Sequence, residues 1–267
     1  MSQFFTKNQI EKIVSCALEA GEIAAGFQKS GKFEIMKKAD GSSFTSADIA
    51  VSKFINEKLT KEFPQIPIIC EEGKLREADD IFWLIDPIDG TSSFIDKSSE
   101  FAVNIALVKD RKAIFGLIYA PLFEGGKMIF SDHENKIIAQ NNAGEKKVLA
   151  FKKSTSNILR IVTSPRTKDS DVANYIGQNC QNFNEKFRIE RLSSAIKFFR
   201  ILENDADLYL HFRQSMEWDT AAGQGLVELM QGSVKTMSLD QNKISIGDNL
   251  SYKKPNFLNH SFVTFIK

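Results

Sequence analysis

The chain has 267 residues, of which 42% are hydrophobic and 26% charged, an ordinary globular balance long enough for one large or two modest domains. Its 35 basic and 34 acidic residues give a formal charge of +1. No global field would draw in a nucleic acid polymer or a membrane surface, although a local lysine could still bind a small anion. Cys16, Cys70 and Cys180 lie far apart and form neither a CxxC pair nor an even disulfide framework, so a reducing cytoplasm is the expected compartment. Residues 1–11 carry no apolar signal core. No apolar run approaches the roughly 18 residues of a membrane span, which leaves peripheral association as the open membrane option.

In chain order, Thr6 with Gln9 predicts a capping box, and Ile10, Ile13, Val14, Ala17, Leu18 and Phe27 then follow helical spacing over residues 7–28. Residues 31–45 are largely polar with two glycines and read as a hairpin or loop, a composition that permits movement. Ser46 is the expected cap of a helix over 47–62, with Ile49, Phe54, Ile55 and Leu59 inward. Asp48 would sit in its first turn, where the helix dipole favours a carboxylate. Pro64 and Pro67 end that segment. Residues 66–70 read as a strand with Glu71 and Glu72 directly after it, and 81–85 as the next strand. Residues 101–108 and 113–119 read as one hairpin, 127–130 and 136–139 as another.

The stretch 141–156 is polar and lysine-rich apart from Val148 to Phe151. It is the expected boundary between a 1–150 half and a 151–267 half of one catalytic unit. Beyond it, strands at 159–163, 187–189 and 207–211 alternate with helices at 170–178, 193–203 and 219–231. Such alternation predicts helices packed on a sheet, so the class is mixed α/β. There is no internal repeat and no low-complexity tract.

The chemistry concentrates in Trp83-Leu84-Ile85-Asp86-Pro87-Ile88-Asp89-Gly90-Thr91. An apolar strand runs straight into two aspartates, which suit a hard divalent cation better than a core. The Gly-Thr that follows can turn backbone N–H groups toward an anion. Metal and phosphate together suggest phosphate-ester hydrolysis. Acids recur at element ends as Asp48, Glu71, Asp86, Asp89 and Asp219, the last with small residues behind it in Glu217-Trp218-Asp219-Thr220-Ala221-Ala222-Gly223. Each alone reads as a cap or a solvated turn. As a set they would repel, and their pKa values would rise unless cations neutralised them; Mg²⁺ does this with a few carboxylates. The only histidines are His133, His211 and His260, and none lies in a nucleophile or metal motif. A serine hydrolase triad or a His-rich zinc site is therefore not expected. The 22 phenylalanines read as core, and Tyr119 as either core or a stacking surface.

These segments resemble the lithium-sensitive, Mg²⁺-dependent phosphatases of the inositol monophosphatase superfamily. Asp86-Pro87-Ile88-Asp89-Gly90-Thr91 matches the first family motif and Trp218-Asp219-Thr220-Ala221-Ala222-Gly223 the second. Lys38-Ala39-Asp40-Gly41-Ser42, Thr45-Ser46-Ala47-Asp48 and Glu71-Glu72 match supporting ones in the family's order. Glu100 to Leu107, Tyr119-Ala120-Pro121, Ser193 to Phe198 and Met216 to Gln224 are most similar to the CysQ-type 3'(2'),5'-bisphosphate nucleotidase branch. The resemblance implies a layered αβαβα sandwich and hydrolysis of the 3'-phosphate of adenosine 3',5'-bisphosphate. An inositol or sugar phosphate is the alternative substrate. A binding module without catalysis is the other class, and the presence of every motif acid speaks against it.

The resemblance further implies two or three Mg²⁺ ions, with inhibition by Li⁺. Glu71, Asp86, Asp89, the Ile88 carbonyl and Asp219 would be the ligands, with Lys38 and Glu72 standing behind them. Asp48 and Thr91 would orient and deprotonate a metal-bound water for in-line attack, and Gly90 and Thr91 would cradle the scissile phosphate. Ser194 and Lys197, one turn apart on the predicted helix, would meet the other phosphate; a cap and a surface lysine are the plain alternative. The chain departs from the branch at Ser164-Pro165-Arg166-Thr167, where Ser-Arg-Ser-His is common. It departs again at Ser193 (usually glycine), at Ala195 (usually serine) and at Leu210-His211 (commonly Pro-Arg). Ser164 and Thr167 remain candidate contacts, and His211 or Arg213 a candidate source of the missing positive charge. A monomer and a homodimer both remain open.

Overall fold

In the computed structural model, residues 4–39, 41–73, 79–152, 154–183, 186–240 and 243–266 are described; Asp40 of the first loop motif falls outside them. Helix α1 (Lys7–Ser30) starts with the predicted capping box: Thr6 Oγ1 accepts from the Gln9 N–H at 3.3 Å, and Gln9 Oε1 accepts from the Thr6 N–H at 2.9 Å. The 31–45 segment holds an antiparallel hairpin, β1 (Ile35–Lys37) and β2 (Ser43–Thr45). Helix α2 (Ser46–Glu62) corrects two expectations. Its cap is Thr45 rather than Ser46, because Asp48 reaches back to the Thr45 N–H at 2.8 Å while Thr45 Oγ1 accepts from Ala47. Ile49 is 47% exposed, because the buried stripe runs through Val51, Ile55 and Leu59 and leaves position 49 on the outer face.

The first sheet has the order β3-β4-β5-β6-β7-β8-β9, from β3 (Ile68–Cys70), β4 (Ile81–Asp89), β5 (Ala102–Lys109), β6 (Lys112–Ala120), β7 (Lys127–Ser131), β8 (Ile137–Asn141) and β9 (Lys146–Leu149). Only β3 and β4 run parallel; every other neighbour pair is antiparallel. Strand β4 is longer than predicted and continues through Pro87, which lacks an N–H for the ladder. The register with β5 shifts between Asp86 and Asp89, so the proline falls in an irregularity. A single helical turn, α3 (Thr91–Ile95), follows. The polar 141–156 stretch is not all linker, since β9 completes the sheet within it.

The second sheet, β11-β10-β12-β17-β14-β15, is built from β10 (Leu159–Thr163), β11 (Phe187–Arg191), β12 (Leu208–His211), β14 (Ser233–Asp240), β15 (Lys243–Asn249) and β17 (Phe262–Phe265). A small bridge joins β13 (Ser215–Met216) to β16 (Leu258–Asn259). The helices are α4 (Asp169–Asn179), α5 (Ile196–Leu202) and α6 (Glu217–Leu229). The strands after residue 231 were not expected: β14 and β15 bury few side chains, so their sequence shows no sustained apolar face.

Alternation along the strands sets the layers. Trp83, Ile85, Val103, Ile105 and Leu117 face α1 and α2 in one core. Phe82, Leu84, Ala106 and Ile118 face the other way, onto Ile196, Phe198, Ala221 and Leu226 of α5 and α6 and then Val162, Tyr209 and Phe262 of the second sheet. Leu159, Ile161 and Leu210 close a third core with Val172, Tyr175 and Ile176 of α4. The result is the expected layered αβαβα sandwich. Small residues let α6 lie close: a Cβ on Gly116 would stand 2.1 Å from the Ala222 carbonyl oxygen. No helix among the described residues is long and apolar enough to cross a membrane.

Candidate active site

Two elements meet end to end. Strand β4 delivers Asp86 and Asp89 at its C-terminal end, and α6 delivers Asp219 in its first turn. One carboxylate oxygen from each lies within 4.8 Å of the others. Each acid is held in place by the backbone. Asp86 Oδ1 accepts from the Ile88 N–H at 3.1 Å and Asp219 Oδ2 from the Met216 N–H at 2.8 Å. Asp89 Oδ2 accepts from the Ala195 N–H and, at 3.3 Å, from Asn104 Nδ2.

Glu71 joins this group from the end of β3, its N–H bonded to the Ile85 carbonyl at 3.1 Å. Lys38 bridges Glu71 at 2.6 Å and Glu72 at 2.7 Å. Burial lowers the Lys38 ammonium less than Glu71 and Glu72 raise it, so it stays protonated. Burial first, then Glu71 and the neighbouring aspartates, pushes the Asp86 carboxyl well above its usual range. Burial and then Asp89 and Glu71 do the same to Asp219. Asp89 is also raised by burial, against the pull of Lys197. Asp86 is buried and Glu71, Asp89 and Asp219 are half-buried; with Lys38 and Lys197 beside them, these carboxylates still carry an excess of negative charge. The donors are hard oxygens, and Asn104 Oδ1 is buried beside them without a partner. This donor set fits a hard divalent cation.

At the edge of the cluster, Thr91 Oγ1 lies 3.2 Å from the Ile88 carbonyl oxygen and 3.3 Å from Asp48 Oδ1. Asp48 is only 1% exposed. Burial pushes its carboxyl up to about 6, against two hydrogen bonds from Thr45, with Glu72 and Glu71 adding to the rise. Gly90 takes φ +89° between Asp89 and Thr91, and a Cβ there would stand 2.9 Å from the Glu100 carbonyl oxygen. Only glycine fits that turn.

The floor opens into a cleft of about 700 Å³. Ser164, Arg166, Ser194, Tyr209, His211 and Arg213 are among its walls. Three expectations need correction here. Lys197 is no surface lysine: it is 4% exposed, and α5 begins at Ile196, so Ser194 precedes the helix with φ +56° and accepts from the Lys197 ammonium through its carbonyl. The local cause is the tight turn that hands the Ala195 N–H to Asp89. Thr167 does not line the cleft, because its hydroxyl bonds Thr163 at 2.8 Å. His211 supplies no positive charge: its ring stacks on Phe262 at 4.8 Å, and burial, with Lys197 close by, pushes the imidazole down to about 3.

Tyr119 proves to be core, 3% exposed with its hydroxyl on Asn142. The ring in the cleft is Tyr209, which the sequence reading passed over. Its signal was the i, i+2 pairing with His211 on one strand face. Asn104 was also missed, and its signal was a lone amide inside an otherwise apolar strand.

The sequence matches the inositol monophosphatase family over residues 7–258, and the chain belongs to that family. It is 30% identical to the 3'(2'),5'-bisphosphate nucleotidase CysQ of Buchnera aphidicola over 96% of this chain and 93% of that protein. It is 31% identical to the CysQ of Salmonella typhimurium over 81% of this chain and 86% of that protein. The crystal structure of CysQ from Bacteroides thetaiotaomicron shares the fold, with a TM-score of 0.77 at 24% identity over 98% of both chains.

Proposed function

We propose that the chain is a Mg²⁺-dependent 3'(2'),5'-bisphosphate nucleotidase. It removes the 3'-phosphate of adenosine 3',5'-bisphosphate and leaves AMP and inorganic phosphate. The observation that carries this reading is the convergence of Asp86, Asp89 and Asp219, with the Asp48–Thr91 pair at their edge, on the floor of a nucleotide-sized cleft. The CysQ relatives support the choice of substrate. Residues 1–150 and 151–267 act as one catalytic unit, since Asp86 and Asp89 come from one half and Asp219 from the other.

Two or three Mg²⁺ ions, held by Glu71, Asp86, Asp89, Asp219 and the Ile88 carbonyl, would neutralise phosphate charge and make water more acidic there. Phosphoryl transfer needs mainly positioning and charge stabilisation, which this set of residues supplies. Thr91 accepts the attacking water's proton through its hydroxyl and passes its own to Asp48, whose raised pKa suits a base working near neutrality. Gly90 and Thr91, which both line the cleft, would cradle the scissile phosphate.

The test is product analysis. Incubation of adenosine 3',5'-bisphosphate with Mg²⁺ should give 5'-AMP, and millimolar LiCl should slow it, because Li⁺ offers a Mg²⁺ place only half the charge. Adenosine 3'-phosphate as the product, or faster release from inositol 1-phosphate, would move the assignment to another ester on the same machinery.

A further inference from the structure

A substrate with two phosphates needs a second place for negative charge, and the lysine expected to provide it is committed elsewhere. Lys197 is 4% exposed, bonds the Ser194 carbonyl, and is held beside Asp89 and Asp219. Its ammonium also lies 5.4 Å from the Tyr209 ring centroid. Next along the wall stands His211, stacked on Phe262, its Nε2 buried without a partner. Tyr209 and His211 share one face of β12, so the wall past Lys197 is aromatic and offers no further cation.

Beyond them the charge changes. Strands β10 and β12 are parallel neighbours with Thr163 opposite Leu210, so the segments leaving their C-terminal ends emerge side by side. Arg166 leaves from one and Arg213 from the other. Arg213 Nη2 lies 3.4 Å from the Arg166 carbonyl oxygen, and both residues line the cleft. Arg160, Arg191 and Arg200 each pair with a carboxylate. Among the described residues, no carboxylate pairs with Arg166 or Arg213. Two exposed arginines on neighbouring segments, both lining the cleft and neither paired with a carboxylate, suit a phosphate, whose oxygens a guanidinium fork matches.

We propose that Arg166 and Arg213 bind the phosphate that is not cleaved, while the Tyr209–His211–Phe262 wall spans the nucleoside between the two phosphates. This rests on the bisphosphate nucleotidase reading. It places the second-phosphate contact on residues other than Lys197, and it accounts for a neutral histidine in mid-cleft: the positive charge has moved to the rim.

The experiment compares kcat/KM for adenosine 3',5'-bisphosphate with that for adenosine 3'-phosphate, in the wild type, Arg166→Gln, Arg213→Gln and the double variant. Competitive inhibition by 5'-AMP is measured alongside. The wild type should prefer the bisphosphate. Each single variant should lower that preference about tenfold and the double about a hundredfold, the scale of one and two lost charge-assisted contacts. Inhibition by 5'-AMP should weaken in parallel. A double variant that keeps the wild-type preference, or one that loses both substrates equally, overturns the arginine subsite and leaves the nucleotidase reading standing. A wild type that hydrolyses neither nucleotide overturns both.

Discussion

Asp48 gains its chemistry from where it sits. A carboxyl 1% exposed and pushed up to about 6 is half ionised close to neutrality, whereas a solvated aspartate would be a weak base there. It acts as a base only when ionised, so kcat should fall about tenfold per pH unit below about 6. Asp48→Asn should lose about 10²- to 10⁴-fold in kcat and flatten that acid limb. A full pH–rate profile of both proteins checks this, and a limb that persists in the variant would assign it to another group. The acids were legible in the sequence because Asp86, Asp89 and Asp219 fall in long motifs at element ends. The surroundings of Lys197 were not legible. Whether a lysine four residues past Ser193 faces solvent or two aspartates depends on the turn before α5, and that turn is fixed by the Ala195–Asp89 hydrogen bond across the fold.

At the scale of elements, α6 and the strands of the first sheet set the distance between Asp219 and the β4 acids. Gly116 on β6 permits that approach, and a methyl group there meets backbone rather than a movable side chain. Gly116→Ala should destabilise the protein by about 1–3 kcal/mol and lower Tm by roughly 2–10 °C. Thermal unfolding monitored by circular dichroism measures it, and an unchanged Tm would mean that the helix has room to move. The helices and the strand-end motifs could be read from periodicity and caps. Other features needed a tertiary partner. Thr45 became the cap of α2 because Asp48 faces it, and β4 continued through Pro87 because β5 absorbs the irregularity. The strands β14 and β15 escaped notice because they bury too little apolar surface to show a pattern.

For the whole molecule, the clustered acids couple stability to pH and to metal. Asp86, Asp89 and Asp219 have carboxyls raised in the folded state, so the folded protein binds more protons than the unfolded chain above the ordinary carboxylate range. Stability of the metal-free protein should therefore rise as pH falls from 8 to 6.5. Two groups act at the limits of that window. Lys197, lowered to about 8, opposes the trend near the top, and His211, lowered to about 3 from an ordinary value of 6.5, opposes it increasingly as pH nears 6.5; the raised aspartates outweigh both. In EDTA, Tm should be higher at pH 6.5 than at pH 8. Saturating Mg²⁺ should raise Tm at both and remove most of the difference, by mass action on the folded state. A metal-free Tm that rises with pH across this window would contradict the charge excess.

The most direct test of the account is phosphate release from adenosine 3',5'-bisphosphate, measured with Mg²⁺ and with EDTA, beside inositol 1-phosphate and fructose 1,6-bisphosphate, in the wild type and in Asp89→Asn. The account predicts Mg²⁺-dependent release with strong preference for the nucleotide, lowered at least about 10²- to 10³-fold by the substitution. Release that survives EDTA, or an Asp89→Asn protein as active as the wild type, would contradict it.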